Sequence, residues 1–188
     1  GVSGNGNASQ WDIALSNNGR YVYYLSAATN LVPNDTNGVD DIFRFDRETC
    51  QTVRVSTDVS GGQTNGASSQ FGVSEDGQTF VFRSAATNLI SGEADNGLFV
   101  RSFTNDTLIH IPDSNTNSQY PTISADGRYV AYIESVDTSS YHLMVYDVLT
   151  NQNSAAVTTI LGNKWAKISR DGSVIAYFSG YSAVSIYD

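Results

Sequence analysis

The residues with the clearest capacity for chemistry form one acidic stretch, Asn34-Asp35-Thr36-Asn37-Gly38-Val39-Asp40-Asp41. Hard cations such as Ca²⁺ prefer oxygen ligands of the kind that its carboxylates and amides supply. The stretch is not an EF-hand loop, which needs Gly at its sixth position, because Gly38 is the fourth residue counted from Asp35. The favoured interpretation is a solvated turn that enters a strand at Asp41, and the alternative is a calcium site. The predicted ligands are Asp35, Asn37, Asp40 and Asp41.

Groups for other kinds of catalysis are scarce. The histidines are His110 and His142, and neither a Gly-x-Ser-x-Gly elbow nor a Cys/His cluster with zinc spacing occurs in the sequence. The Gly-rich stretches lack the Gly-Lys-Ser/Thr that a phosphate-binding loop needs. Cys50 is the single cysteine and cannot form an internal disulfide. We therefore expect no catalytic residues, no enzymatic activity and no cofactor other than calcium.

The charge balance limits the partners. The formal net charge is −9 and the pI is near 4.4, so few basic residues are present to neutralise phosphates. This balance argues against nucleic acid and anionic membrane surfaces and leaves proteins, peptides and cations. No run of about 18 apolar residues occurs, so no membrane insertion is expected.

The elements that must position these residues follow from an internal repeat. Four times a Ser, two variable residues and a Gly lead into a short apolar run, and the glycines at 19, 77, 127 and 172 are 58, 50 and 45 residues apart. Periods of roughly 40 to 50 residues built from short strands are typical of propeller blades. We predict an all-β chain that forms a single β-propeller array of about four four-stranded blades. These span about 1–56, 57–112, 113–160 and 161–188, and the last lacks its outermost strand.

The repeated turns have a structural explanation. Asn18-Gly19 and the Asp-Gly pairs at 76, 126 and 171 lie between the first two strands of each repeat, where a tight reversal requires a positive φ. The Ser two residues before each Asp or Asn can cap the turn through its hydroxyl group. We therefore interpret the four serines as turn residues and not as nucleophiles.

Large aromatic residues recur at the start of each innermost strand. We expect them to pack between blades, because every blade needs a large residue to fill the wedge between neighbours. The alternative is a cluster of aromatic rings around one end of a central channel, which would suit a peptide or a sugar. The residues are Trp11, Phe71, Tyr120 and Trp165.

The stretch Ser-Ala-Asp-Gly-Arg-Tyr-Val-Ala-Tyr at 124–132 resembles the consensus of the TolB-like, WD-repeat-like β-propeller repeats of bacterial envelope and secreted proteins. The segments 26–32 and 84–90, Ser-Ala-Ala-Thr-Asn-Leu-Val and Ser-Ala-Ala-Thr-Asn-Leu-Ile, look like a subgroup found in large secreted bacterial proteins. The chain departs from the family pattern at Asn18, where the family has Asp, and at Cys50, where it usually has Gly.

The resemblance implies a non-enzymatic module that serves as a protein-interaction or scaffold domain of a larger secreted or periplasmic bacterial protein. Propellers host many unrelated activities, so two alternatives stay open. One is a propeller accessory to a hydrolase, either a peptidase or a glycosidase, and the other is a calcium-stabilised adhesion module. Four blades either close alone or leave open blade edges, through which two copies would pair as a homodimer.

Overall fold

A computed structural model describes residues 3–92, 96–112, 114, 117–161, 165–178 and 183–188, and these residues form strands and no α-helix. The strands are β1 (Ala8–Leu15), β2 (Tyr21–Ser26), β3 (Asp41–Asp46), β4 (Gln51–Arg54), β5 (Ser68–Val73), β6 (Thr79–Ser84), β7 (Gly97–Ser102), β8 (Thr107–His110), β9 (Ser118–Ile123), β10 (Tyr129–Ser135), β11 (Ser140–Asp147), β12 (Gln152–Leu161), β13 (Ala166–Ile168), β14 (Ile175–Phe178) and β15 (Val184–Tyr187).

Consecutive strands form antiparallel sheets in simple up-and-down order. The sheets are β1-β2-β3-β4, β5-β6-β7-β8, β9-β10-β11-β12 and β13-β14-β15, and we call them blades 1 to 4. The innermost strands β1, β5, β9 and β13 pack side by side in sequence order. The prediction of an all-β propeller with four blades is confirmed, and blade 4 has three strands among the described residues.

Each blade has two apolar faces, because strand residues alternate between the two sides of a sheet. We call the side that carries the third and fifth residues after the repeat glycine the leading face, as with Phe80 and Phe82 in blade 2. The opposite side, which carries the second and fourth residues, is the trailing face, as with Tyr21 and Tyr23 in blade 1.

The core consists of three clusters, each formed between a trailing face and the next leading face. Between blades 1 and 2, the buried rings of Tyr23 and Phe80 lie 5.5 Å apart, and the Tyr23 hydroxyl donates to the carbonyl of Gly77 at 2.8 Å. Val81 of blade 2 packs with Val130 of blade 3 in the same way. The third cluster joins blades 3 and 4. Burial of these apolar side chains is what holds neighbouring blades together.

The repeat glycines are required by both conformation and space. Gly127 has a φ of +77°, a region that residues with a side chain seldom adopt. A Cβ on this glycine would lie 2.8 Å from the Cβ of Thr79 on the preceding trailing face. Gly77 lies equally close to Tyr21. The glycines therefore let each turn approach the blade before it.

Candidate functional site

The four repeat turns form the same hydrogen-bond circuit. In blade 3 the Ser124 hydroxyl donates to Oδ1 of Asp126 at 2.6 Å and accepts the N–H of Tyr129 at 2.9 Å. Oδ1 of Asp126 also accepts the N–H of Arg128 at 3.0 Å. The circuits around Ser16, Ser74 and Ser169 are equivalent. The serine hydroxyls are committed to the turns, which confirms their predicted capping role.

A ladder of backbone hydrogen bonds joins one turn to the next. In blades 1, 2 and 3, the residue that follows the repeat serine donates its N–H to the carbonyl of the equivalent residue in the following blade. The bonds run from Asn17 to Glu75 at 2.7 Å, from Glu75 to Ala125 at 3.0 Å and from Ala125 to Arg170 at 2.9 Å. This ladder fixes the four turns around a common centre.

Residues of the four turns line a cavity of about 890 Å³, and we call this cavity the channel mouth. Four carboxylates and one guanidinium line it, so its charge is negative overall. Glu75 of blade 2 forms an ion pair with Arg170 of blade 4, whose side chain is mostly exposed. The remaining carboxylates are those of Asp76, Asp126 and Asp171.

Turn hydrogen bonds lower the pKa of two of these carboxylates, Asp126 and Asp171. The hydrogen bond from Ser124 lowers the pKa of Asp126 below its usual value, and the bond from Ser169 is the main cause that lowers the pKa of Asp171 to about 2. A glycosidase needs one carboxyl group with a raised pKa as its general acid. Asp126 and Asp171 are shifted in the opposite direction, which suits them to attract cations.

The predicted calcium ligands lie elsewhere, at the start of β3 in blade 1. Asp35 and Asp41 are both buried, and the guanidinium of Arg54 contacts them at 3.2 Å and 3.3 Å. Oδ1 of Asp41 also accepts the Ser56 hydroxyl at 2.7 Å. Burial is the main cause of the raised pKa of Asp35, and Arg54 opposes it.

The other two predicted ligands differ from each other. Asn37 donates to the Asp41 carboxylate at 3.0 Å and to the carbonyl of Thr64 at 3.1 Å, whereas Asp40 is exposed. Across the part of the chain that the structure describes, no group of three His, Cys, Asp or Glu is placed to hold a metal ion. Calcium binding stays a prediction, and it would require the ion to displace the Arg54 guanidinium.

Gln63 completes this cluster, which we call the acidic lock: Asp35, Asn37, Asp41, Arg54 and Gln63. With the Gln63 amide turned to satisfy its neighbours, its oxygen accepts the N–H groups of Thr36 at 3.0 Å and Asn37 at 2.7 Å. The same oxygen lies 3.3 Å from Nη1 of Arg54. The lock therefore ties the loop before β3 to the segment that leads into blade 2.

The aromatic residues of the innermost strands make contacts of two kinds. Phe71 packs against Tyr23 in the first core cluster, with 6.3 Å between the ring centres. Tyr120 and Trp165 stack at 5.6 Å beside a cavity of about 530 Å³ between the innermost strands. The Trp11 side chain lies outside the described residues. Phe71 also lines this cavity, so one residue packs between blades and faces the space between the innermost strands.

The histidines and the cysteine occupy structural positions. The His110 ring packs on Phe99 at 4.9 Å, and its Nε2 is 3.3 Å from the hydroxyl of Ser114, which is buried and accepts the N–H of Leu98. His142 lies opposite Glu134 in the pairing of β10 with β11. Cys50 is exposed and has a φ of 56° in the β3–β4 turn, a conformation that favours Gly.

Sequence reasoning missed Arg54 and Gln63 as partners of the acidic stretch. Arg54 follows Asp41 by 13 residues, and its side chain reaches Asp41 because β3 pairs with β4, placing Arg54 opposite Phe43. Arg54 is the last residue of β4, and because β4 is antiparallel to β3, it lies near the start of β3. Nothing in the sequence indicated the position of Gln63.

No protein-family model and no curated protein matches the chain. Among solved structures, it is similar to TolB from Acinetobacter baumannii, with 22% identity and a TM-score of 0.55 over 93% of this chain and 37% of that one. A putative TolB from Agrobacterium tumefaciens has 12% identity and a TM-score of 0.65, over 96% of this chain and 61% of the other. The β-propeller domain of the Trilobed protease from Pyrococcus furiosus has 12% identity and a TM-score of 0.59, over 93% and 49%.

These similarities establish the fold, a TolB-like β-propeller. The chain spans less than two thirds of the length of each of these structures. None of the described residues belongs to a helix with the length and apolarity that crossing a membrane requires.

Proposed function

We propose that this chain is a non-enzymatic interaction module of a larger secreted or periplasmic bacterial protein, and that it binds a basic segment of a protein or peptide partner at the channel mouth. The observation that carries the proposal is the set of four carboxylates around a cavity of about 890 Å³. Pairing of two copies through open blade ends belongs to the same proposal.

The hydrogen bonds that already occupy the serine and aspartate side chains of the turns favour binding over catalysis. Each turn Asp uses Oδ1 for the circuit, as Asp76 does with the Ser74 hydroxyl at 2.7 Å and the N–H of Gln78 at 2.9 Å. These bonds leave the second carboxylate oxygen available to a ligand. The serine, which is the one potential nucleophile of each turn, already donates its proton to the carboxylate.

The charge of the mouth indicates the chemistry of the partner. Carboxylates fixed around one cavity focus a negative potential, which raises the association rate of cationic ligands and rejects anionic ones. Lysine and arginine side chains on an extended segment fit such a site. The chain as a whole reinforces this preference, because its formal net charge is −9.

The test replaces by amides the three mouth carboxylates that form no ion pair among the described residues, as Asp76→Asn, Asp126→Asn and Asp171→Asn together. Asn18 makes the same turn bonds in blade 1, at 2.7 Å and 3.0 Å, so the amide preserves the fold. With about 0.5 kcal/mol for each exposed charge, affinity for a lysine-rich peptide should fall about tenfold in about 0.1 M salt, measured by calorimetry.

The matched control removes three exposed carboxylates that do not line the mouth, as Asp40→Asn, Asp106→Asn and Asp137→Asn. It should leave peptide affinity within about twofold, because exposed charges beyond a Debye length of about 10 Å are screened. Equal losses of affinity in both triple variants would show that binding depends on the net charge of the chain, and would reject the mouth as the binding site.

A propeller that serves a hydrolase is the second candidate, favoured by the similarity to the propeller domain of the Trilobed protease. In that case the channel would admit substrate to a catalytic domain on a separate segment. Peptidase and glycosidase assays on the purified chain test whether the chain itself has catalytic activity, which neither candidate function predicts. Turnover that disappears in Glu75→Gln would contradict a non-enzymatic module.

A further inference from the structure

The cavity of about 530 Å³ between the innermost strands is a second candidate site, which we call the inner cavity. In all four blades the residue four positions before the repeat serine lines it, and these residues are Asp12, Gln70, Tyr120 and Trp165. The contacts that bring β5, β9 and β13 together lie within the chain. The centre of the inner cavity is therefore built by blades 2, 3 and 4 themselves.

Two β-bulges place residues at this cavity in an unfavourable backbone conformation. Gln70 has a φ of 43° and Tyr120 a φ of 53°, a region that residues with a side chain seldom adopt. The strand pairing shifts register around both residues. Oε1 of Gln70 accepts the N–H of Tyr120 at 2.9 Å, which ties one bulge to the other. Bulges re-aim side chains, and residues in such conformations are concentrated at ligand sites.

Tyr120 and Trp165 give the inner cavity an aromatic surface. Their rings stack with 5.6 Å between the ring centres and 25° between the ring planes, and Trp165 is 55% exposed. Within the described part of the chain, neither the Tyr120 hydroxyl nor the indole N–H of Trp165 has a hydrogen-bond partner. The face of an aromatic ring is electron-rich, so it attracts the weakly positive C–H groups of a ring that lies flat on it.

The inner cavity differs from the channel mouth in its charge. Asp12 contributes a carboxylate and Lys167 an ammonium group, and no other described residue that lines it is charged. The cavity therefore has no net charge to select a cationic or an anionic ligand. The amide of Gln70 and the hydroxyl of Thr122 supply further hydrogen-bond donors and acceptors. A purely apolar ligand would leave these polar groups without water or a partner.

We propose that the inner cavity binds an uncharged sugar ring of a carbohydrate. The C–H groups on the face of a sugar ring match the aromatic surface of Tyr120 and Trp165. The hydroxyl groups around its rim both donate and accept, which matches the mixed polar groups on the neighbouring strands. The cavity volume lies within the range of about 300–1,000 Å³ that is usual for small-molecule sites. This site is separate from the channel mouth and does not rest on the proposed function.

The test is a titration of the folded chain with neutral oligosaccharides of glucose, galactose and N-acetylglucosamine, followed by ligand-observed NMR. We expect at least one sugar to bind, with saturation transferred from the protein mainly to the C–H groups of one ring. Trp165→Ala should lower the affinity about tenfold, because it removes the larger ring of the aromatic surface. Trp165→Phe keeps a ring and should recover most of the loss.

The matched control is Tyr187→Ala, at an exposed ring of β15 that does not line the cavity, and it should leave the affinity for the sugar unchanged. Because Trp165 is largely exposed, its two variants should keep the circular dichroism of the parent. No binding of any of these sugars up to about 10 mM would overturn the proposal. Equal losses of affinity in Trp165→Ala and Tyr187→Ala would also overturn it.

The lysine-rich peptide separates this proposal from the proposed function. The triple variant of Asp76, Asp126 and Asp171 should bind the sugar as the parent does, and Trp165→Ala should bind the peptide as the parent does. Sugar binding without peptide binding would contradict only the proposed function. Peptide binding that is lost in Trp165→Ala, with no sugar binding, would make the inner cavity part of a peptide site and overturn the assignment to a carbohydrate.

Discussion

Two regions of this protein are rich in carboxylates, and the carboxylates are buried in one region and accessible in the other. In the acidic lock, Asp35 and Asp41 are buried against one guanidinium, that of Arg54. At the channel mouth, Asp126 and Asp171 are held by turn hydrogen bonds and line an open cavity. Density of acidic residues along the sequence therefore does not indicate where negative charge is available to a ligand.

The pKa directions express the same difference. Burial raises the pKa of Asp35, whereas hydrogen bonds from serine hydroxyls lower the pKa of Asp126 and, to about 2, that of Asp171. A buried carboxylate needs its counter-ion in place, and a carboxylate in a turn needs only the turn. We infer that charge changes in the lock affect stability, whereas charge changes at the mouth affect binding.

The largest expected effect is that of Arg54→Met. The change leaves Asp35 and Asp41 buried without their cation, and uncompensated buried charges are costly. We expect the free energy of unfolding to fall by about 3 kcal/mol, measured by urea denaturation.

The control for this change is Arg47→Met, which removes an exposed guanidinium that donates to the carbonyl of Gly19 at 2.9 Å. Its loss should stay within about 1 kcal/mol. If Arg54→Met costs no more than Arg47→Met, the lock is not an ion-paired structural element, and the distinction between the two acidic regions fails.

A smaller effect is expected from breaking a turn at the mouth. Ser124→Ala leaves the N–H of Tyr129 and the Asp126 carboxylate without their hydroxyl partner at a fully buried position. This should lower the free energy of unfolding by about 1–3 kcal/mol. Asp126→Asn, which keeps the bonds and removes the charge, should change it by less than about 0.5 kcal/mol. A larger cost for Asp126→Asn than for Ser124→Ala would show that the charge itself holds the turn.

The repeat made most of the fold predictable from the sequence. The turn Ser124-Ala125-Asp126-Gly127 contains its whole hydrogen-bond circuit within a few residues, so local chemistry determined both its position and its shape. The same locality explains why the capping role of the serines could be predicted.

The two acidic regions were not predictable in this way, because both depend on contacts between distant residues. The lock needs Arg54 and Gln63. Arg54 reaches Asp35 only once the sheet of blade 1 has formed, and Gln63 reaches Asn37 only once the segment that leads into blade 2 is in place. The mouth needs Glu75 beside Arg170, and nothing along the sequence shows that turns of blades 2 and 4 share one cavity. The sequence offered the acidic stretch at 34–41 as the candidate ligand site, whereas the carboxylates accessible to a ligand lie in the turns.

The most direct test of the account is an amide NMR titration of the isotope-labelled chain with a lysine-rich peptide. Binding at the channel mouth should give saturable shifts at the turn residues that line it, above all Glu75, Asp76, Ala125 and Asp126, while the amide signals of residues 34–41 do not shift. Shifts concentrated in 34–41, or no saturable change at the turns, would contradict the claim that the channel mouth is the binding surface of this propeller.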